Sequence, residues 1–160
     1  MQHFIESAMY QIGQLFLLPT LLLISLLFLY AFWVLAEFIT LAVRRRSGAG
    51  RPLLVRYQHD TQLSEDELDL IAHKLIEGPR IASRATPMLG LVATMIPMGP
   101  ALKSLSDGNL AGVSENLVLA FSAVILSLLA ASITYYVVNV RRRWLAEEML
   151  QIAALRKAGA

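Results

Sequence analysis

The chain contains no cysteine among its 160 residues. That absence excludes a disulfide framework, a thiolate metal site and a cysteine nucleophile. Charged residues are also scarce, at 16%, whereas hydrophobic residues make up 56%. This balance is too apolar for a soluble domain of the same length, so the composition predicts a membrane protein.

Signatures of catalysis and of metal binding are missing as well. His59 and His73 stand alone, without a second ligand at a suitable spacing. The sequence has no nucleophile–base set and no phosphate-binding loop. We therefore predict that the protein is not an enzyme and holds no cofactor or metal. The arginine clusters are expected to set the topology and contact anionic lipids rather than nucleic acid.

Three apolar runs are long enough to cross about 30 Å of hydrocarbon at about 1.5 Å per residue. The predicted fold class is all-α, with three transmembrane helices and long helices that extend into the cytoplasm. The predicted segments are an outer interfacial helix (1–14), a first transmembrane helix (15–43), a cytoplasmic segment (44–85) containing an amphipathic helix (65–77), a second transmembrane helix (86–105), a short outer turn (106–114), a third transmembrane helix (115–140) and a cytoplasmic C-terminal helix (141–160).

The basic residues predict the orientation of these spans. Of the 14 Lys and Arg residues, eight lie in Arg44–Arg84 and five in Arg141–Lys157. Basic residues that flank membrane helices stay on the cytoplasmic side. We therefore expect the N-terminus outside and the C-terminus in the cytoplasm.

Local signals predict where several helices begin and end. His3–Ile12 has helical apolar spacing and is either an interfacial helix or an extension of the first span. Ser64 and Glu67 have the spacing of a capping box, and Gly78-Pro79 is expected to end the helix that follows. The third span should continue as one helix into the C-terminal segment.

Small residues form a stripe along the third span. Such stripes let membrane helices approach each other closely, so this one is expected to pack against another helix. Its members are Ala120, Ala123, Ser127, Ala131 and Thr134.

The second span also keeps small and polar residues on one narrow helical face. Pro97 has no N–H, so the carbonyl of Ala93 loses its usual donor. One interpretation is a proline kink in which Thr94 bonds back to its own helix, and the other is a water-lined path. The residues of this face are Thr86, Gly90, Thr94, Pro97 and Ala101.

Acidic residues are absent from Leu117–Val140, so the third span carries no proton shuttle of its own at mid-membrane. Glu115, at the outer entrance, lies about 20° from Ser122 in helical direction, so one ion or water could meet both. Glu37, near the inner end of the first span, either pairs with an arginine or belongs to an ion pathway.

The block T-P-M-L-G-L-V-A-T, beginning at Thr86, resembles the second conserved transmembrane helix of the MotA/TolQ/ExbB ion-channel family, whose consensus is roughly A/T-P-x-x-G-L-x-G-T. Glu115-Asn116-Leu117 is similar to the E-A-L that often opens the family's third helix. The chain departs from the pattern at Ala93 and Pro97, where glycines are usual, and at Ala120, where a threonine is expected.

The resemblance implies an assembly and an ion pathway. Five copies would surround a dimer of a single-span protein similar to ExbD or TolR, whose aspartate carries H⁺ or Na⁺. The residues that the resemblance and the helical faces place along the path are Thr94, Ser122, Glu115, Pro97 and Gly90.

Two hypotheses remain open at this point. The first is a motor subunit in a bacterial or archaeal inner membrane, which converts ion flow into rotation or force. The second is a non-conducting membrane scaffold that recruits partners through its cytoplasmic stalk. The missing mid-membrane carboxylate supports the second.

Overall fold

A computed structural model describes residues 2–159, and the side chains of residues 11–158. Within this part all regular secondary structure is helical, with α1 (Gln2–Arg46), α2 (Pro52–His59), α3 (Glu65–Ser106) and α4 (Leu110–Gly159). Three of these helices, α1, α3 and α4, are long and apolar enough to span a membrane. The prediction of an all-helical fold with three helices able to span a membrane is confirmed.

The helices α3 and α4 form an antiparallel hairpin, and α1 packs against both of them. Only Asp107–Asn109 separate the two hairpin helices, so the turn predicted over 106–114 is shorter than expected. Gly108 has a φ of 72°, a conformation that other residues rarely adopt. The Asn109 carboxamide accepts a hydrogen bond from the Gly112 N–H at 3.1 Å, so α4 begins earlier than the predicted Glu115.

The expected helix end at Gly78-Pro79 is wrong, because α3 runs through both residues without a break. A proline inside a helix costs about 3 kcal/mol. Pro79 is buried, and α3 buries apolar or small side chains on both sides of it, from Leu68 to Ala101. This packing outweighs the local cost, so the predicted helices 65–77 and 86–105 are parts of one helix.

The N-terminal segment likewise continues into the first span. Helix α1 passes through Pro19 and extends from Gln2 to Arg46, so 1–14 is not a separate element. The apolar face predicted over 3–12 falls mostly outside the described side chains. The sequence left open whether this segment is an interfacial helix or an extension of the first span. The continuous helix agrees with the extension.

A hydrophobic core lies at the end of the bundle that carries the arginine clusters, which we call the basic end. The short helix α2 begins at Pro52, a favoured residue for a first helical position, and was not predicted. Its Leu53 packs with buried apolar residues of α3 and of the C-terminal part of α4. The buried members of this core are Leu53, Leu68, Ala72, Ile76, Leu145 and Ile152.

The predicted capping box is present at the start of α3. The Ser64 hydroxyl accepts from the Glu67 N–H at 3.2 Å, and the Glu67 carboxylate accepts from the Ser64 N–H at 2.8 Å. Hydrogen bonds from the backbone and the hydroxyl of Ser64 hold the pKa of Glu67 below its ordinary value. The charged form of Glu67 therefore favours the helix start, as its sequence spacing indicated.

Candidate ion pathway

The interface between α3 and α4 is built from small residues on both helices. On α4, the five residues predicted to form a packing stripe are all buried: Ala120, Ala123, Ser127, Ala131 and Thr134. On α3, four of the five residues of the narrow face found in the sequence are buried, namely Thr86, Gly90, Pro97 and Ala101, and Ala93 is buried beside them. Small side chains allow the two backbones to approach closely in the membrane-spanning part.

Gly90 marks the tightest part of this interface. A Cβ atom added at Gly90 would lie 2.0 Å from Ser127 Oγ and 2.9 Å from Ser127 Cβ. Both distances are too short for atoms that do not share a bond or hydrogen bond. Gly90 was predicted to line an ion path, and the structure shows that its lack of a side chain also permits contact with α4.

We expect Gly90→Ala to destabilise the helix hairpin, by about 1–3 kcal/mol, because overpacking forces neighbouring atoms to move. Replacing Ser127 by glycine in the same chain removes both clashing atoms and should restore most of the lost stability. Thermal unfolding of the detergent-solubilised variants measures both effects.

Gly13→Ala is the matched control, since Gly13 lies in α1 and has no atom within 4 Å of the added Cβ. This variant should be neutral or slightly stabilised, because alanine has the higher helix propensity. A Gly90→Ala variant as stable as Gly13→Ala would contradict the close approach.

Thr94 lies at the edge of the interface and is partly exposed. Its hydroxyl donates to the Leu91 carbonyl at 2.7 Å, which is the back-bonded arrangement that the sequence left open. The hydroxyl oxygen still has capacity to accept a hydrogen bond. Thr94 is therefore positioned to meet an ion, a water molecule or a partner group at the side of the hairpin.

Two prolines of α3, Pro97 and Pro100, leave backbone carbonyls of the span without their usual helical N–H donor. Pro100 cannot donate to the carbonyl of Ile96, and the Gln14 amide of α1 reaches that carbonyl at 3.5 Å. Pro97 is fully buried and cannot donate to the Ala93 carbonyl. The Gln14 side chain of α1 thus donates to one of the two carbonyls that have no helical N–H donor. The hydrogen-bonding need of these carbonyls is therefore partly met inside the subunit.

Glu115 and Ser122 are exposed on α4. The Ser122 hydroxyl donates to the Val118 carbonyl at 2.8 Å. Ala120 and Ala123, on either side of Ser122 in the sequence, are buried, so Ser122 lies away from the interface with α3. Among the described side chains, Thr94, Ser122 and Glu115 make no hydrogen bond to one another, and their predicted common path stays a prediction.

Charged residues pair at the basic end of the spans. Glu37 of α1 forms an ion pair with Arg141 of α4, in agreement with the pairing interpretation of Glu37. Within the described residues 2–159, no group of three histidine, aspartate or glutamate residues could hold a metal ion.

The sequence analysis did not find the buried carboxylate of Glu148. Glu148 is fully buried and accepts from Arg45 at 2.8 Å and from the Leu53 N–H at 2.9 Å. It thereby joins α1, α2 and α4 at the basic end. Glu148 lies three residues after Leu145 and four before Ile152, on the apolar stripe of α4. This helical spacing could have indicated from the sequence that Glu148 is buried.

Comparison with protein families matches residues 58–154 to the MotA/TolQ/ExbB proton channel family. The match covers more than half of the chain and includes all of α3 and most of α4. The chain belongs to the MotA/TolQ/ExbB proton channel family. Comparisons with curated proteins and with solved structures gave no significant match.

This membership confirms the resemblance found in the motif beginning at Thr86. It shows a membrane protein of an ion-channel family, with three helices able to span the bilayer. The matched residues contain the α3–α4 hairpin with Thr94, Ser122 and Glu115, whereas α1 lies outside the match. The family relationship therefore concerns the two helices that hold the candidate pathway.

Proposed function

We propose that this chain is the pentameric subunit of an ion-driven motor in a bacterial or archaeal inner membrane. The observation that carries the proposal is the family match across α3 and α4, which contain every candidate pathway residue. Five copies enclose a dimer of a single-span protein similar to ExbD or TolR. Flow of H⁺ or Na⁺ between them is converted into rotation or force transfer.

The placement of the hydroxyl groups supports a pathway formed between chains. Thr94 lies at the edge of the hairpin, while Ser122 lies on the side of α4 away from α3. One copy does not bring these two groups together. Both groups therefore serve one pathway only when a further chain approaches the exposed faces of α3 and α4.

The burial of the three spans supports an outer position for α1. In its most apolar window only 17% of residues are buried, compared with 28% in α3 and 33% in α4. A helix with so little protein contact suits the lipid-facing side of an assembly, leaving α3 and α4 toward its centre. The positively charged helix ends at the basic end support a cytoplasmic location for that end.

The ion-carrying group comes from the partner in this proposal. Leu117–Val140 contains no acidic residue, and Glu115 lies before that stretch. Hydroxyl and carbonyl oxygens can bind Na⁺ or hold a chain of water molecules, but they do not accept and release protons near neutral pH. Protonation or ion binding at an aspartate of the two-fold partner would change its fit to the five-fold ring.

Native mass spectrometry tests this proposal. The detergent-purified chain is measured alone and after coexpression with a neighbouring gene product that has one span and an early aspartate. We expect five copies, or five copies with two partners. A monomer or an unrelated stoichiometry in both preparations would contradict the motor architecture.

The alternative function is a non-conducting membrane scaffold. It is favoured by the same lack of an intramembrane acidic residue and by the long helical extension of α4 beyond Arg141. A pentamer that shows no ion flux with or without the single-span protein would support the scaffold over the motor.

A further inference from the structure

A groove of about 540 Å³ lies between α3 and α4 at the basic end. Three arginines line it, Arg80 and Arg84 from α3 and Arg142 from α4. Tyr135 and Asn139 of α4 complete the part of the groove nearest the membrane-spanning segment. The family motif and the candidate ion pathway do not use any of these side chains.

The three arginines are exposed. Among the described side chains, no carboxylate lies within ion-pairing distance of Arg80, Arg84 or Arg142, although Arg45, Arg141 and Arg156 all have such partners. The one carboxylate that lines the groove, Asp69, is paired with His73 at 3.4 Å. It lies about 22 Å along α3 from Arg84. The groove therefore attracts an anion at its membrane-proximal part.

Two helical rows continue from these arginines onto apolar surface. Positions seven residues apart differ by only about 20° in direction, so each row stays on one face of its helix. The row on α3 is Arg84, Leu91 and Met98, and the row on α4 is Arg142, Tyr135 and Leu128. Leu91 is 64% exposed, Tyr135 65% and Leu128 51%. Each row passes from a guanidinium group to an apolar surface within about 10 Å.

We propose that this groove binds the headgroup phosphate of an anionic phospholipid, with the acyl chains along the two apolar rows. Arginine guanidinium groups bind phosphate oxygens through paired hydrogen bonds. Tyrosine is favoured at the level of the lipid headgroups, where the ring is apolar and the hydroxyl is hydrated. A soluble phosphate would use the arginines but leave both apolar rows uncovered.

A second copy of the chain fits this surface less well. In a symmetric contact of groove against groove, three arginines would face three arginines, with only Asp69 from each copy to offset them. The proposal requires membrane insertion but not ion conduction. A lipid site without motor activity, or motor activity without a lipid site, would therefore separate this proposal from the proposed function.

The test is native mass spectrometry of the full chain with equal amounts of phosphatidylglycerol and phosphatidylcholine of the same acyl composition. The wild-type chain should retain phosphatidylglycerol preferentially. The double variant R80Q/R84Q should lower that preference by at least about tenfold, because it removes two of the three guanidinium groups that line the groove and would hydrogen-bond the phosphate. R80K/R84K keeps the positive charge but loses the planar guanidinium groups. Its preference for phosphatidylglycerol should lie between those of the wild type and R80Q/R84Q.

R44Q/R46Q is the charge-matched control, because Arg44 and Arg46 are exposed at the same end of the bundle but lie on α1, outside the groove. This variant removes the same charge but no side chain of the groove, so its preference for phosphatidylglycerol should fall by less than that of R80Q/R84Q. Equal loss in both double variants, or equal retention of the two lipids by the wild type, would overturn the proposal.

Two further outcomes are distinguished in the same spectra. Displacement of phosphatidylglycerol by millimolar inorganic phosphate would identify a soluble phosphate site and overturn the lipid assignment. A changed number of subunits in R80Q/R84Q, with unchanged lipid retention, would identify the groove as a contact between copies. Circular dichroism checks that each variant retains its helices.

Discussion

Glu148→Ala is expected to lower the free energy of unfolding by about 3–5 kcal/mol, the range for removing one partner of a buried charge pair. The side chain of Glu148 has no exposed surface, and its two oxygens accept from Arg45 and from the Leu53 N–H. Alanine would leave a guanidinium group and a buried N–H without these partners. The loss should separate α2 from the end of α4.

Chemical unfolding in detergent, followed by tryptophan fluorescence, measures this loss. Trp144 is a suitable probe, since it stacks on Phe38 at 5.2 Å and lies 5.0 Å from the Arg45 guanidinium. Glu147→Ala is the matched control, because Glu147 binds the same arginine at 3.0 Å but is half exposed. The control should change stability by less than about 1 kcal/mol.

Glu148→Gln separates hydrogen bonding from charge. The amide oxygen can still accept from the Leu53 N–H, so this variant should be more stable than Glu148→Ala. Equal stability of Glu148→Ala and Glu147→Ala would show that the buried carboxylate does not hold the three helices together.

Thr94→Val should reduce ion-coupled activity by at least about tenfold while leaving assembly intact. A hydrogen bond to a charged group contributes about 1.5–3 kcal/mol, and 1.4 kcal/mol corresponds to a tenfold change. Valine has nearly the same shape but cannot bind an ion, a water molecule or a carboxylate. The measurement is H⁺ or Na⁺ flux in vesicles that contain the chain together with the single-span protein proposed as its partner.

Thr40→Val is a closely matched control. Thr40 donates to a carbonyl three residues earlier at 2.7 Å, as Thr94 does, but it lies on α1. Its substitution should leave flux unchanged, and Thr94→Ser should retain most of the activity because it keeps the hydroxyl. Wild-type flux in Thr94→Val, with normal assembly, would remove Thr94 from the mechanism.

Much of the fold could be predicted because its signals are local. Apolar runs of membrane length indicated all three spans, and Ser64 with Glu67 indicated the start of α3. The small residues from Ala120 to Thr134 share one helical face, and all five are buried. Hydrophobicity, capping and helical period depend on neighbours in the sequence, so these features were readable from it.

The prediction failed where tertiary packing opposes a local preference. Gly78-Pro79 is a strong helix-ending signal, yet α3 continues because its faces on both sides of Pro79 are buried. The eight residues of α2 form too short a segment to be stable alone, and the buried Leu53 ties that segment to the basic-end core.

The sequence by itself determined a cysteine-free, three-span membrane protein, its family motif and its strongly asymmetric basic residues. The tertiary structure decided which small residues meet: it placed Gly90 against Ser127 and turned Ser122 away from α3. It also decided that Glu148 is buried beside Arg45, whereas Arg80, Arg84 and Arg142 share an open groove. The physical reason is that composition and periodicity act along one chain segment, while close approach, burial and charge pairing depend on how distant helices pack.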